Sequence, residues 1–218
     1  EAGDGPDSGD DWGAVGMSFP KHAAYKEAQA SWVREIPVTW EVARLGFEAE
    51  TLVPMRDKPE RLDGDIPWVR IEDFQGKYIS KSKSGQGVSE ETINSMNLKV
   101  FPVGTVLCSC SCSMGATAIA AAQIVSNQTF IGIVPGRGYK PEYLYYLLQA
   151  SSEHLNSIGT GAIQSYLSRD DFRRLRLPKP PLTEQALASN FLDRETAKID
   201  TLIAEQQRLI ELLQEKRQ

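Results

Sequence analysis

Three thiols stand at alternate positions in LCSCSC, as Cys108, Cys110 and Cys112, and the 218-residue chain has no other cysteine. On a strand that spacing points all three to one face. A structural zinc site joins closely spaced Cys pairs to a second pair or to His ligands. His22 and His154 are the only histidines and complete no such pattern. The thiols therefore read as small apolar strand residues, reduced as in a cytosolic protein. No Ser or Cys sits in a nucleophile elbow, and the GQG and GRG triplets at 85–87 and 136–138 lack the rest of any phosphate-cradling fingerprint. No methyl-donor motif accompanies them. The expectation is a chain with no catalytic residue, no metal and no cofactor of its own.

Two stretches are better suited to nucleic acid. In GKYISKSKSGQGVS, Lys77, Lys81 and Lys83 lie in a run from Phe74 to Ser89 that holds no acid, with hydroxyls and Gln86 among them. Lys and Ser fix phosphates, and Gln pairs with the edge of adenine. The plain alternative is a solvated loop. In GTGAIQSYLSRDDFRRLRLPK, Gln164, Tyr166 and Arg169 stand beside Arg173, Arg174, Arg176 and Lys179, with Asp170 and Asp171 offsetting part of the charge. Gln164 and Tyr166, next to glycines, suit base or backbone contact, whereas Arg173 and Arg174 also suit a solvent face. The expected DNA contacts are Lys77, Lys81, Lys83, Gln86, Gln164, Tyr166 and Arg169.

Short strands and turns must hold these stretches, because from about 42 to 135 brief apolar runs alternate with Gly, Pro and Asn. Strands are expected at Ile66 to Ile71, Thr105 to Ser111, Ala116 to Ile119 and Thr129 to Val134. Pro141 opens a helix over 141–152 that puts Tyr143, Leu144, Leu147 and Leu148 on one face. Ser168 caps a short turn with Asp171, after which LRLPKPP forces an extended path.

From Thr183, placed to cap with Glu184 in the first turn, no Gly or Pro occurs to Gln218. One long helix is expected. Ala188, Leu192, Glu195, Ile199, Leu202, Gln206, Leu209 and Leu213 step by four and three, and Ile203 and Ile210 widen the stripe. At about 1.5 Å per residue such a helix spans roughly 50 Å, longer than a small domain covers. A core helix folded back on its own domain is the plain alternative. Length favours a partner helix, with Ile199, Leu202, Gln206, Leu209 and Leu213 at the interface and Gln206 setting register.

At 41% hydrophobic content the chain can build a core. No apolar run reaches about 18 residues, and the first residues are acidic where a signal peptide needs bases and then apolar residues, so a soluble, cytoplasmic protein away from the membrane is expected. The net charge of −5 is unevenly placed. Residues 1–16 hold Glu1, Asp4, Asp7, Asp10 and Asp11 and no base; without these five the 29 acids become 24, equal to the 24 Lys and Arg. That segment is expected to be a disordered acidic tail, with Met17 as a candidate start. The neutral body lacks the phosphate attraction of a lone DNA binder, so a more basic partner is expected to supply it.

Five phrases in this order resemble the specificity (S) subunit of Type I restriction-modification enzymes. AAYKEAQASWVREIPVTWEVARL at 23–45 is similar to the family's opening, where a Tyr-Lys pair precedes a Trp and then an Ile-Pro-x-x-Trp. It departs at Glu27-Ala28-Gln29 and Val33-Arg34, where an Asp-Ser-Gly run and Leu-Gly are commoner. GDIPWVRIEDF at 64–74, FPVGTVLCSCSCSMGATAI at 101–119, and QTFIGIVP with PEYLYYLLQA follow. The most specific piece is LPKPPLTEQALASNFLDRETAKIDTLIAEQQRLIELLQEKRQ at 177–218, which looks like the family's helical region, with Pro-Pro, Glu184-Gln185, Leu192-Asp193 and Ile199-Asp200 in place.

The resemblance implies an α+β fold: a mixed-sheet target-recognition domain at 17–180, then a long coiled-coil-type helix at 181–218 for dimerisation and subunit docking. It implies a specificity subunit that reads one half of a bipartite site in double-stranded DNA, with the helix as a ruler between halves. Modification subunits would bind S-adenosylmethionine and methylate adenine, and a restriction subunit would join for cleavage. Family subunits usually carry two recognition domains and two helical regions. One of each implies a half-length subunit that pairs with a second copy of itself or another half, or a piece of a longer protein. The rival reading is a non-DNA adaptor that recruits proteins through the long helix.

Overall fold

The computed structural model describes residues 22–54, 58–111, 114–159 and 166–216. The expectations for segment 1–16, Cys112 and Gln164 lie outside the described residues. The chain opens with an antiparallel hairpin of β1 (Tyr25–Ala30) and β2 (Val33–Pro37), followed by β3 (Glu41–Arg44), the single helical turn α1 (Leu45–Glu48) and β4 (Ala49–Leu52). Next come β5 (Ile66–Val69), β6 (Tyr78–Ile79), β7 (Gly87–Val88) and α2 (Glu90–Met96). Strands β8 (Val106–Ser109), β9 (Thr117–Ala120), β10 (Val125–Ser126) and β11 (Phe130–Pro135) lead to α3 (Pro141–Ala150), α4 (Ser152–Ile158) and α5 (Arg169–Arg174). β12 (Arg176–Lys179), which pairs with β3, precedes the long α6 (Leu182–Glu215).

The central sheet runs β4-β11-β8-β9-β6 and is mixed, antiparallel throughout except for the parallel β9–β6 pair. Successive side chains alternate, so β8 sends Val106 and Cys108 to one face and Leu107 to the other. The first face, with Cys110, Ile119, Ile131 and Ile133, packs on Leu144 and Leu148 of α3, Leu155 of α4 and Phe172 of α5. The second packs Leu107, Ala118 and Phe130 against Val69, Phe101 and Ile124. Both faces are covered, and the sheet's central strands therefore read as unbroken apolar runs. Gly132 lies under the Phe101 ring, where any added Cβ would overlap it. Cys108 and Cys110 are buried on the first face as small strand residues, and burial pushes the Cys108 thiol up to about 12.

Most boundaries differ by a residue or two from the sequence expectation, and three of the differences have a clear local reason. The strand expected at Ile66 to Ile71 stops at Val69. The Asp73 carboxylate accepts the Arg70 N–H at 2.7 Å and the Lys83 N–H at 2.8 Å, which curls Ile71–Asp73 into a 3-10 turn. The helix expected over 141–152 ends at Ala150 and restarts at Ser152, since the Ser151 hydroxyl bonds back to the Leu148 carbonyl at 2.9 Å. Helix α6 starts at Leu182 behind Pro181 without a side-chain cap from Thr183, and the Glu184 carboxylate instead accepts the Trp40 indole N–H at 2.7 Å. The Ser168–Asp171 capping box forms as expected.

The 34 residues of α6 span about 50 Å. Its first turns belong to the body, where Ala188 joins the core and Gln185 is fully buried. The Gln185 amide donates to the carbonyls of Gly138 and Pro180 and accepts the Lys140 N–H, each at 2.9 Å. From residue 196 to 216 every side chain is exposed. The apolar stripe is thus divided: Ala188 and Leu192 are partly buried near the body, and Ile199, Leu202, Leu209 and Leu213 are bare. The fold is α+β, and among the described residues no helix is long and apolar enough to cross a membrane.

Candidate nucleic-acid interface

The Lys-rich stretch becomes an ordered loop because several of its polar groups are bonded within it. Gly85 takes φ +68°, a conformation that glycine adopts without strain, and its N–H closes a turn on the Ser82 carbonyl at 3.2 Å. Ser82 is buried and shares a 3.0 Å hydrogen bond with Ser84. Asp73 holds the Lys83 backbone from below. Gln86 accepts from the Arg70 guanidinium at 2.9 Å, which orients its amide and leaves the amide N–H groups to donate outward. The Lys81 and Lys83 side chains are exposed, and among the described residues no ion pair engages either. Two ammonium groups and an oriented Gln on one short loop can grip phosphate and touch a base edge.

Lys77 is held elsewhere. Its ammonium lies 2.6 Å and 2.8 Å from the Asp193 carboxylate oxygens on α6 and 4.8 Å from the Tyr146 ring centre, with only 13% of its side chain exposed. The structure joins it to the long helix, apart from Lys81 and Lys83.

In the second stretch, Tyr166 forms an isolated bridge with Ser111, and the Leu167 N–H donates to the Cys110 carbonyl at 3.0 Å. Tyr166 remains substantially exposed. Burial of part of the ring, then the charge of Cys110 and a hydrogen bond with it, push its hydroxyl above the usual range. Arg169 opens α5, and its Nε donates to the Thr51 hydroxyl at 3.0 Å. Gln164 lies outside the described residues.

Arg70 was not among the sequence-expected residues. It sits beside Glu72 and Asp73, where the local sum of charge hides it, and its Nε lies 3.2 Å from the Glu72 carboxylate. The hint in the sequence is its position directly after β5, at the start of the turn. Among the described residues no group of His, Cys, Asp and Glu side chains has a metal-holding arrangement. The site is built for polar contact and charge.

The Type I restriction modification DNA specificity domain matches residues 37–213. The chain is 30% identical over 204 residues to the MjaIX Type I restriction enzyme specificity subunit of Methanocaldococcus jannaschii, covering 91% of this chain and 46% of that protein. It thus spans about half the length of that relative. Among solved structures, the HsdS subunit from Thermoanaerobacter tengcongensis superposes with a TM-score of 0.62 at 18% identity, over 82% of this chain and 41% of that one. The S subunit from M. genitalium superposes with a TM-score of 0.53 at 14% identity, over 76% of this chain and 41% of that one. These likenesses extend the fold to known subunits. By the domain match and the M. jannaschii relative, the chain belongs to the Type I restriction modification DNA specificity family.

Proposed function

We propose that this chain is the sequence reader of a Type I restriction-modification complex, recognising one half of a bipartite site in double-stranded DNA and catalysing nothing itself. Methyl transfer to adenine from S-adenosylmethionine falls to modification subunits, and cleavage to a restriction subunit that joins them. The exposed end of α6 pairs with a second copy of the chain, or with another half, through Ile199, Leu202, Gln206, Leu209 and Leu213. The complex works in the cytoplasm.

The observation that carries this reading is the division of α6. Its proximal turns are locked to the globular body through Gln185 and Asp193, while residues 196–216 stand free with an apolar stripe along them. A reading head mounted on a rod whose far end lacks a partner is what a spacer between two half-sites requires. Tyr166, Arg169, Lys81, Lys83 and Gln86 are the contact residues of the head. An adaptor would use the rod but has no need of the ordered Lys81–Gln86 loop.

Mapping adenine methylation in DNA exposed to the chain and its modification subunits tests the reading. The expected result is a split motif with a fixed gap, lost when this chain is omitted. Unbroken or scattered sites would contradict it.

A further inference from the structure

Two neighbouring clefts share Arg44 and Arg174. The first, about 550 Å³, is also lined by Trp32, His154, Asp171 and Arg176. The second, about 290 Å³, adds Phe47, Asp170 and Arg173. Arg44 stands far from Arg174 and Arg176 in sequence, and three local features bring them together. Arg44 ends β3 and stands directly opposite Arg176, the first residue of β12, so the two side chains leave the same face of an antiparallel pair. Arg174 ends α5, which lies against α1. Gly46 permits that approach, because a Cβ there would come within 2.9 Å of the Arg173 Cβ.

Four arginines, Arg44, Arg173, Arg174 and Arg176, against Asp170 and Asp171 leave the region net positive. Like charges directly opposite on paired strands repel. Among the described residues no ion pair engages Arg44, Arg173, Arg174 or Arg176, and Arg176 makes only 3.4 Å contacts with Gln29. The one carboxylate in the larger cleft, Asp171, already accepts the Ser168 N–H at 2.8 Å and the Ser168 hydroxyl at 2.6 Å. Phe47, 83% exposed, stands at the second cleft with nothing covering it.

We infer that this pair of clefts grips successive phosphates of one DNA strand, a backbone-holding site separate from the Lys81–Gln86 loop. The inference rests on the DNA-reading function proposed above. Guanidinium groups bind phosphate bidentately, and two adjacent clefts that share cations match an anion whose charges repeat along a chain. The exposed Phe47 ring packs on sugar between them. Helix α5 begins three residues after Tyr166, so the grip lies directly along the chain from the second reading segment. It also provides local attraction in a body whose charges balance as a whole.

The test is fluorescence anisotropy of the chain assembled with its modification subunits, titrated with salt against one duplex carrying the mapped target and one of scrambled sequence. For the R44Q/R174Q/R176Q variant, affinity should fall about tenfold or more for both duplexes alike, and the slope of log affinity against log salt should drop by about three. The ratio between the duplexes should not change. The R44K/R174K/R176K variant keeps the charge and should keep the slope; if it loses the slope as the Gln variant does, the effect is structural and the inference fails. Unchanged DNA binding by the intact assembly overturns it, and so does loss of assembly in sedimentation of the Gln variant, which would mean that the face docks protein. If the unmodified assembly cannot tell the two duplexes apart, the reading function itself fails. A discriminating assembly indifferent to the Arg substitutions rejects the phosphate grip alone.

Discussion

Lys77 and Asp193, 116 residues apart in sequence, meet as an ion pair with both carboxylate oxygens within 2.8 Å of the ammonium. The Tyr146 hydroxyl donates to the same carboxylate at 2.5 Å, and its ring lies beneath the Lys77 ammonium. One contact thus ties helix α3 and the residue just before edge strand β6 to α6, twelve residues into the helix. A rod transmits distance only if its base cannot pivot, and this joint resists pivoting. It lies just before the point where α6 leaves the body.

Replacing Asp193 by Asn should weaken the joint in a pH-dependent way. Burial alone disfavours the Asp193 carboxylate, but hydrogen bonds from Lys77 and Tyr146, with the Lys77 charge, outweigh it and hold the group below its usual range. A depressed carboxyl contributes stability that is complete above its unfolded value and is lost as pH falls through its folded value. The Asp193 side chain is partly exposed, so screening limits the loss in D193N to about 1 kcal/mol at neutral pH. Melting temperatures measured across a pH series should show a constant gap down to about pH 5 that closes below about pH 4. A gap that widens in acid would refute the assignment.

Gln185 offers a sharper stability test. Gln185→Leu keeps the volume but leaves the Lys140 N–H and the Gly138 and Pro180 carbonyls without their partner in a buried place. Loss of that bonding should cost about 3 kcal/mol, lowering Tm by about 9 °C in a chain of this size. Calorimetry showing a shift under about 2 °C would mean that water or a rearranged helix start satisfies those groups.

The bare half of α6 predicts association. Replacing Leu202 and Leu209 by Asp should convert a dimer into a monomer in sedimentation, with the fold of the globular body unaltered by circular dichroism. Amide exchange in residues 196–216 of the unsubstituted chain should slow as concentration rises, since only a second helix can protect them. Sedimentation of an unchanged oligomer in the double variant would place the contact elsewhere.

Periodicity made four of the twelve described strands, the α3 helix and the length of α6 legible without coordinates, because alternation and the four-three step are properties of local geometry. The capping of α5 by Ser168 and the burial of the Cys108 and Cys110 thiols followed from the same short-range rules. Boundaries slipped where a side chain reached back to the backbone, at Asp73 and Ser151, since such bonds compete with the ladder or the helix and leave little periodic trace. The fate of Lys77 illustrates the larger gap. Its neighbours in sequence made it one of three equivalent lysines, yet Asp193 and Tyr146 draw it under the long helix.

The kind of the main elements, the long amphipathic C-terminal helix and the lack of nucleophile, metal and phosphate-loop motifs were properties of the sequence by itself, since each depends on residues close together along the chain. Only the tertiary structure decided which cations are free and which are paired, that the α6 stripe splits between body and solvent, and that Arg44 faces Arg176 across two strands. The physical reason is that charge pairing depends on through-space distances of a few ångströms between residues more than a hundred positions apart, and no local pattern encodes those.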